Sequence, residues 1–142
     1  MVLFIVMAIA IISSGFIARS DAQLASGRNL NLRNEADYLA WAGLEHARAL
    51  VVSPENTDVL GAWSGTELQL DAASDCYYDL TIDVPAEQAA ADPNDLSTFT
   101  YEILSSAYVR KNGTVRARSV LDATLFYDPN ETQAIYISIR RQ

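Results

Sequence analysis

An α+β fold, a long N-terminal helix packed on a four-stranded antiparallel β-sheet, is what this chain of 142 residues predicts. Three observations carry that expectation. Residues 2–52 contain no proline and pass from an uncharged apolar stretch into a segment rich in Ala, Leu, Arg and Glu, all good helix formers. From Asn34 to Val52 the apolar residues recur on one helical face. After Asp75 the period of apolar residues drops from 3.6 to 2, the alternation of a half-buried strand. Half of the chain is hydrophobic and 20% is charged, which excludes disorder as its dominant state, and the length suits a single extramembrane domain.

The helix begins in Met1–Ala18, MVLFIVMAIAIISSGFIA, which carries no charge. As a helix it would span about 27 Å, slightly less than a hydrocarbon core of about 30 Å. A secretory signal would have a basic start and a small-x-small cleavage site. Neither is evident here, since Ala18-Arg19-Ser20 is a poor cleavage site and no helix breaker follows it. The expectation is a retained transmembrane helix over 1–18, an amphipathic continuation over 19–52 and a sheet domain over 53–142. Pro54 ends the helix by disfavouring helical geometry at Ser53.

In the amphipathic part Ala36, Leu39, Ala40, Gly43, Leu44, Ala47, Leu50 and Val51 fall within an arc of about 140°, the face that a helix buries. Its small residues would let a sheet approach closely. Tyr38, Trp41, Glu45 and Arg48 lie together on the opposite face. Exposed aromatics tend to mark interfaces, so these four form a candidate subunit interface. The competing reading is that the loop after the helix folds back over the two rings. His46 sits at the border of the buried stripe with no second histidine in the chain, and reads as an ordinary helix-surface residue rather than a ligand.

Residues 53–75 read as an irregular loop broken by Gly61, Ser64 and Gly65. Cys76, Tyr78, Leu80, Ile82 and Val84 then alternate with polar or half-polar neighbours, giving a strand that Pro85 stops. After a second loop over 85–98, Phe99–Arg110 and Thr114–Tyr127 form a hairpin around Lys111-Asn112-Gly113. A two-residue Asn-Gly loop would set Val109 against Arg116. A three-residue loop instead pairs Phe99 with Leu125, Tyr101 with Ala123, Ile103 with Leu121, Ala107 with Ala117 and Val109 with Val115, one apolar face, and is therefore expected. It sets Glu102 opposite Asp122. Ile135, Ile137 and Ile139 alternate with Tyr136, Ser138 and Arg140 as the fourth strand.

Charge and composition bound the function. The net charge is −8, and the acidic excess falls beyond residue 52, because the four arginines and four acids of residues 19–52 cancel. Such a domain repels phosphate backbones, so no nucleic-acid partner is expected. One cysteine and one histidine leave little material for metal or triad chemistry, and no phosphate loop or nucleophile elbow is present, so no enzyme, cofactor or metal is expected. Asp92-Pro-Asn-Asp95 and Asp128-Pro-Asn-Glu131 repeat one pattern that hints at calcium, but each also suits a type I turn and offers only two carboxylates. Asn112-Gly-Thr and Asn130-Glu-Thr match the glycosylation sequon, each at an expected turn. Cys76 reads as a small buried hydrophobe.

An apolar helix that runs into an amphipathic half and then a sheet resembles the layout of type IV pilins and pseudopilins. The residues LFIVMAIAIISSGFIARSDAQLASGRNLNLRNEADYLAWAGLEHARAL, and within them Ala40-Trp-Ala-Gly-Leu-Glu-His-Ala47, are similar to the start of K-type minor pseudopilins of type II secretion and X-type minor pilins. The resemblance covers roughly the first 52 residues. It implies a pilin-like fold, an inner-membrane anchor, an extracytoplasmic sheet domain and partners that are other pilins or pseudopilins, with an assembly platform and a prepilin peptidase acting on it. Members of the family carry a basic leader, not seen here, and most have glutamate at the fifth mature residue. Ile5 stands there if Met1 is the mature start, as in K-type subunits at the filament tip. The alternative is a signal-anchored periplasmic binding module that does not polymerise. A periplasmic hydrolase is the third reading, opposed by the single histidine.

Overall fold

With no proline to interrupt them, the apolar and amphipathic patterns join in one helix, α1 (Val2–Val52). The computed structural model describes residues 2–52, 62–71, 74–84, 99–128 and 133–142. The turns expected at Asp92–Asp95 and over 129–131, and Pro54 as the helix stop, lie outside the described residues.

Two units divide the chain, Met1–Leu32 and Arg33–Gln142. In the first, the described apolar side chains of α1 face outward, Phe4 at 79% and Phe16 at 75% exposure among them. This part of the helix is long and apolar enough to cross a membrane, a criterion that a signal sequence also meets.

The second unit sets residues 33–52 of α1 on an antiparallel sheet of five strands in sequential order: β1 (Trp63–Leu68), β2 (Cys76–Asp83), β3 (Phe99–Lys111), β4 (Thr114–Asp128) and β5 (Gln133–Arg141). The sheet therefore has five strands rather than four. The strand missed in the sequence is β1, which falls in the expected loop over 53–75. Its alternation is too short to stand out and is broken by a bulge between Gly65 and Leu68, with Glu67 at φ 53°. Gly65 is not a breaker there: a Cβ would meet Trp63 Cη2 at 2.7 Å and Leu68 Cδ1 at 3.0 Å, so the strand needs glycine at that point.

The β3–β4 hairpin also differs from expectation. Asn112 and Gly113 form a two-residue turn with φ of 54° and 74°, the two left-handed positions of a type I′ turn, and Lys111 pairs with Thr114. The mismatch that argued against this turn is removed by a bulge next to it. Arg110 pairs with Val115 and Val109 with Ala117, so Arg116 is the extra residue and Val109 again meets an apolar partner. Tyr101 consequently faces Leu125, Ile103 faces Ala123 and Ala107 faces Ser119, each two residues from the expected partner. Glu102 lies opposite Thr124, and the anticipated like-charge pair with Asp122 does not form. A third bulge leaves Ile137 unpaired between Tyr136↔Leu125 and Ser138↔Thr124. Beyond it the faces exchange: Tyr136 and Ala134 line up with the core positions Leu125 and Tyr127, while Ile135 and Ile137 are exposed.

The stripe read from the sequence is the buried face of α1. Ala36, Leu39, Ala40, Leu44, Ala47 and Val51 are buried against Tyr78, Leu80, Ile82, Ile103, Leu121, Ala123 and Leu125; Leu50 is half-buried. The contact is closest at Gly43, where a Cβ would overlap Ser105 Oγ and come within 3.1 Å of Tyr78 Cδ2. Ser105, fully buried on β3, donates from its hydroxyl to the Ala40 carbonyl at 2.9 Å. The second lone pair of this helical carbonyl accepts the bond, and it is within reach because Gly43 puts no side chain between helix and strand. Tyr136 donates to the Leu44 carbonyl, and burial together with Glu45 raises its pKa, so the phenol stays protonated. At the far edge Asp37 forms an ion pair with Arg141.

Gly43→Ala is expected to destabilise the domain by about 1–3 kcal/mol through overpacking, outweighing the gain of about 1 kcal/mol in helix propensity. In a Ser105→Gly background the Ser105 atoms are gone and only the Tyr78 ring edge at 3.1 Å remains, so the same substitution should cost markedly less. Denaturant melts of the four proteins of this cycle measure the coupling, and an equal cost in both backgrounds would overturn the close-approach argument.

Asp37 is held below the ordinary carboxylate range by the neighbouring Ser119 hydroxyl and by the Arg141 guanidinium. A depressed folded pKa stabilises above the unfolded value of about 3.9 and ceases to do so as pH falls through the folded value. The pair is solvent-screened, so Asp37→Asn should cost no more than about 1 kcal/mol at pH 7, and that difference should vanish in strong acid. A difference independent of pH would show that the carboxylate charge plays no part.

Candidate subunit interface

Helical spacing places Tyr38, Trp41, Glu45 and Arg48 on the face of α1 turned away from the sheet, and all four are exposed. Tyr38 is 77% and Trp41 47% accessible; the residues that directly follow the helix, expected on the competing reading to fold over the rings, lie outside the described residues. Glu45 and Arg48 form a solvent-exposed ion pair one turn apart at 3.6 Å, of a kind worth a few tenths of a kcal/mol. The four residues thus make a strip of two aromatic rings followed by one neutralised charge pair.

The strip continues into a feature that the sequence did not reveal. A groove of roughly 300 Å³ lies where the end of α1 meets the start of β5, lined by Glu45, Arg48, Ala49, Val52, Gln133 and Ala134. Glu45 and Arg48 are its shared wall. Nothing in the helix alone signals it, because it depends on the β5 bulge that turns Ala134 toward the core. Chemically the surface offers apolar area beside the acceptor Glu45, the donor Arg48 and the amide of Gln133, which can do either.

His46 is not the plain surface residue that its position on the stripe border suggested. Half-buried, its ring lies edge-on to Trp63 at 6.0 Å and to Tyr78 at 6.1 Å between centroids. Tyr78, whose pKa burial raises, keeps its proton and hydrogen-bonds through its hydroxyl to His46 Nδ1 at 2.9 Å. This fixes β1 to the helix through Trp63 and gives the histidine a packing role. The thiol of Cys76, buried at the start of β2, donates to Glu35 Oε1 at 3.1 Å. Burial, reinforced by the Glu35 carboxylate, pushes it up to about 11, so the reactive thiolate is not formed at neutral pH. No group of three or more His, Cys, Asp or Glu side chains positioned to hold a metal occurs among the described residues.

On the sheet face opposite the helix, charged residues from neighbouring strands converge. Arg110 pairs with Glu67 at 2.7 Å, and its guanidinium carbon lies 4.8 Å from the Tyr77 ring centre and 4.9 Å from that of Tyr108. Those rings stack at 5.8 Å. Asp79 accepts from the Glu67 amide at 2.8 Å and from the Tyr108 hydroxyl at 3.4 Å. The alternation of β2 and β3 marked these as outward positions, but their partner Glu67 lies on the unforeseen β1.

Comparison with known proteins finds no family model, no curated protein and no solved structure that matches this chain.

Removal of an exposed ring from a helix surface should leave the fold intact. Trp41→Ala is expected to keep the melting midpoint of the chain nearly unchanged and to weaken its association with partner subunits by about 2 kcal/mol or more, as for a buried interface aromatic. Thermal melts and two-colour association measurements in bilayers check both halves. A large loss of monomer stability with unaltered association would assign the ring to folding instead.

Proposed function

We propose that this protein is a structural subunit of the type IV pilin-like kind, a minor pilin or pseudopilin that the membrane stores and a filament later takes up. One observation supports the reading most: among the described residues, the apolar side chains of α1 from Phe4 to Ile17 are exposed. A greasy helix of this length must be surrounded either by lipid or by other apolar helices. Those two environments are the two states of a subunit that is first inserted and then assembled.

The remaining features fit that role. The amphipathic part of the helix is clasped by a sheet domain placed outside the cytoplasm, and its free face presents Tyr38, Trp41, Glu45 and Arg48 to neighbouring subunits. Assembly itself would be the mechanism, driven by helix packing and by contacts of the exposed strip, with the inner-membrane platform and prepilin peptidase as partners. The alternative, an anchored periplasmic binding module, draws its support from the depression on the outer sheet face.

Expression beside a pilus or secretion platform tests the proposal. A tagged chain should enter the sheared filament fraction only when the platform is present, and a photo-reactive residue at Ile12 should then cross-link to other subunits. Retention in the membrane fraction, with no cross-link to any subunit whether or not the platform is present, would overturn it in favour of the non-polymerising module.

A further inference from the structure

The outer face of the sheet contains an open depression of roughly 590 Å³, within the range of small-ligand sites, whose wall is formed by Thr66, Glu67, Asp79, Ser106, Arg110 and Arg118. Its charges are not equally engaged. Glu67 neutralises Arg110, which also stacks over two tyrosine rings, and Asp79 accepts from an amide and a phenol. Arg118 is different. Its Nε and Nη2 both donate to Ser106 Oγ, at 3.2 Å and 3.0 Å, and no carboxylate pairs with it among the described residues. Ser106 is itself buried, so the guanidinium is held by a fixed atom of the sheet.

Geometry then decides what Arg118 can bind. Ser106 occupies the Nε–Nη2 edge of the guanidinium plane. The other edge, with the two N–H groups of Nη1 and one of Nη2, points away from that bond and remains a two-pronged donor of the spacing a carboxylate accepts. Two arginines balance two acids on this wall, so a monoanion leaves one uncompensated negative charge and a dianion two, and Glu67 and Asp79 repel the dianion more strongly.

We propose that this depression binds a single carboxylate, presented by a ligand that is otherwise uncharged or cationic, with Arg118 as the binding residue and Ser106 as the residue that positions it. The site is separate from the helix face and does not rest on the assembly reading. Two sources supply such a group, the carboxyl end of a peptide and the uronate of an acidic sugar.

The test is a titration of the full chain, labelled with nitrogen-15 in detergent micelles, followed at the Arg118 Nε–H resonance. N-acetylalanine and glucuronate are the probes, with sodium chloride and sodium sulfate as controls at matched ionic strength. A saturable shift with either carboxylate is expected, and the tighter of the two names the source. Arg118→Gln should abolish saturable binding as read at neighbouring amides of β3 and β4, and Ser106→Ala should weaken it about 3–10-fold while leaving the melting curve cooperative. The proposal is overturned by a shift that chloride reproduces, by tighter binding of sulfate than of both carboxylates, or by binding that survives Arg118→Gln.

Discussion

The sheet domain depends on how closely one turn of helix approaches one strand. At Gly43 the helix has no side chain, and at Ser105 the strand has only a small one, so the Ser105 hydroxyl reaches the Ala40 carbonyl directly. That bond is made in a fully buried place, where an unpaired hydroxyl would cost roughly 1–3 kcal/mol. It therefore fixes both the distance and the sliding position of α1 on the sheet. The other attachments follow from it. Tyr136 reaches the Leu44 carbonyl, His46 meets Tyr78 and Trp63, and Asp37 meets Arg141, all at positions that this one contact sets.

Much of the fold was legible because burial leaves a periodic trace. The stripe from Ala36 to Val51 and the alternation from Cys76 to Ile82 each record a face turned to the core, and the continuity of the helix from Val2 to Val52 follows from the absence of proline within it. The register of the sheet was less legible, for a physical reason. A bulge changes pairing without changing which residues are apolar, so Arg116 and Ile137 look like ordinary members of an alternating run. The expected loop kept the odd residues of β3 against the odd residues of β4, which is the correct face, and missed the partners by two. β1 escaped notice because six residues with an internal bulge hold too little pattern to read.

The surface divides along the same line. Tyr38, Trp41, Glu45 and Arg48 were found together because all four lie on one helix, whose geometry turns spacing in sequence into proximity in space. The groove beside them joins the helix to β5, and the outer depression joins β1, β2, β3 and β4, so each draws on residues distant in sequence. Arg118 carried no signal of its own. What singles it out is the bond to Ser106, twelve residues earlier and a diagonal neighbour on the adjacent strand, a contact between side chains that no pattern of apolar residues records.

The two bulges beside β4 also bear on how the sheet resists slippage. They flank β4 on opposite edges, one beside the β3–β4 turn and one toward the middle of β5. To slide along β3, β4 would have to expel Arg116 from its kink, and to slide along β5 it would have to draw in Ile137. A one-residue slip also turns every side chain of a strand to the wrong face. The central ladder is thus keyed on both flanks against slippage along either neighbour.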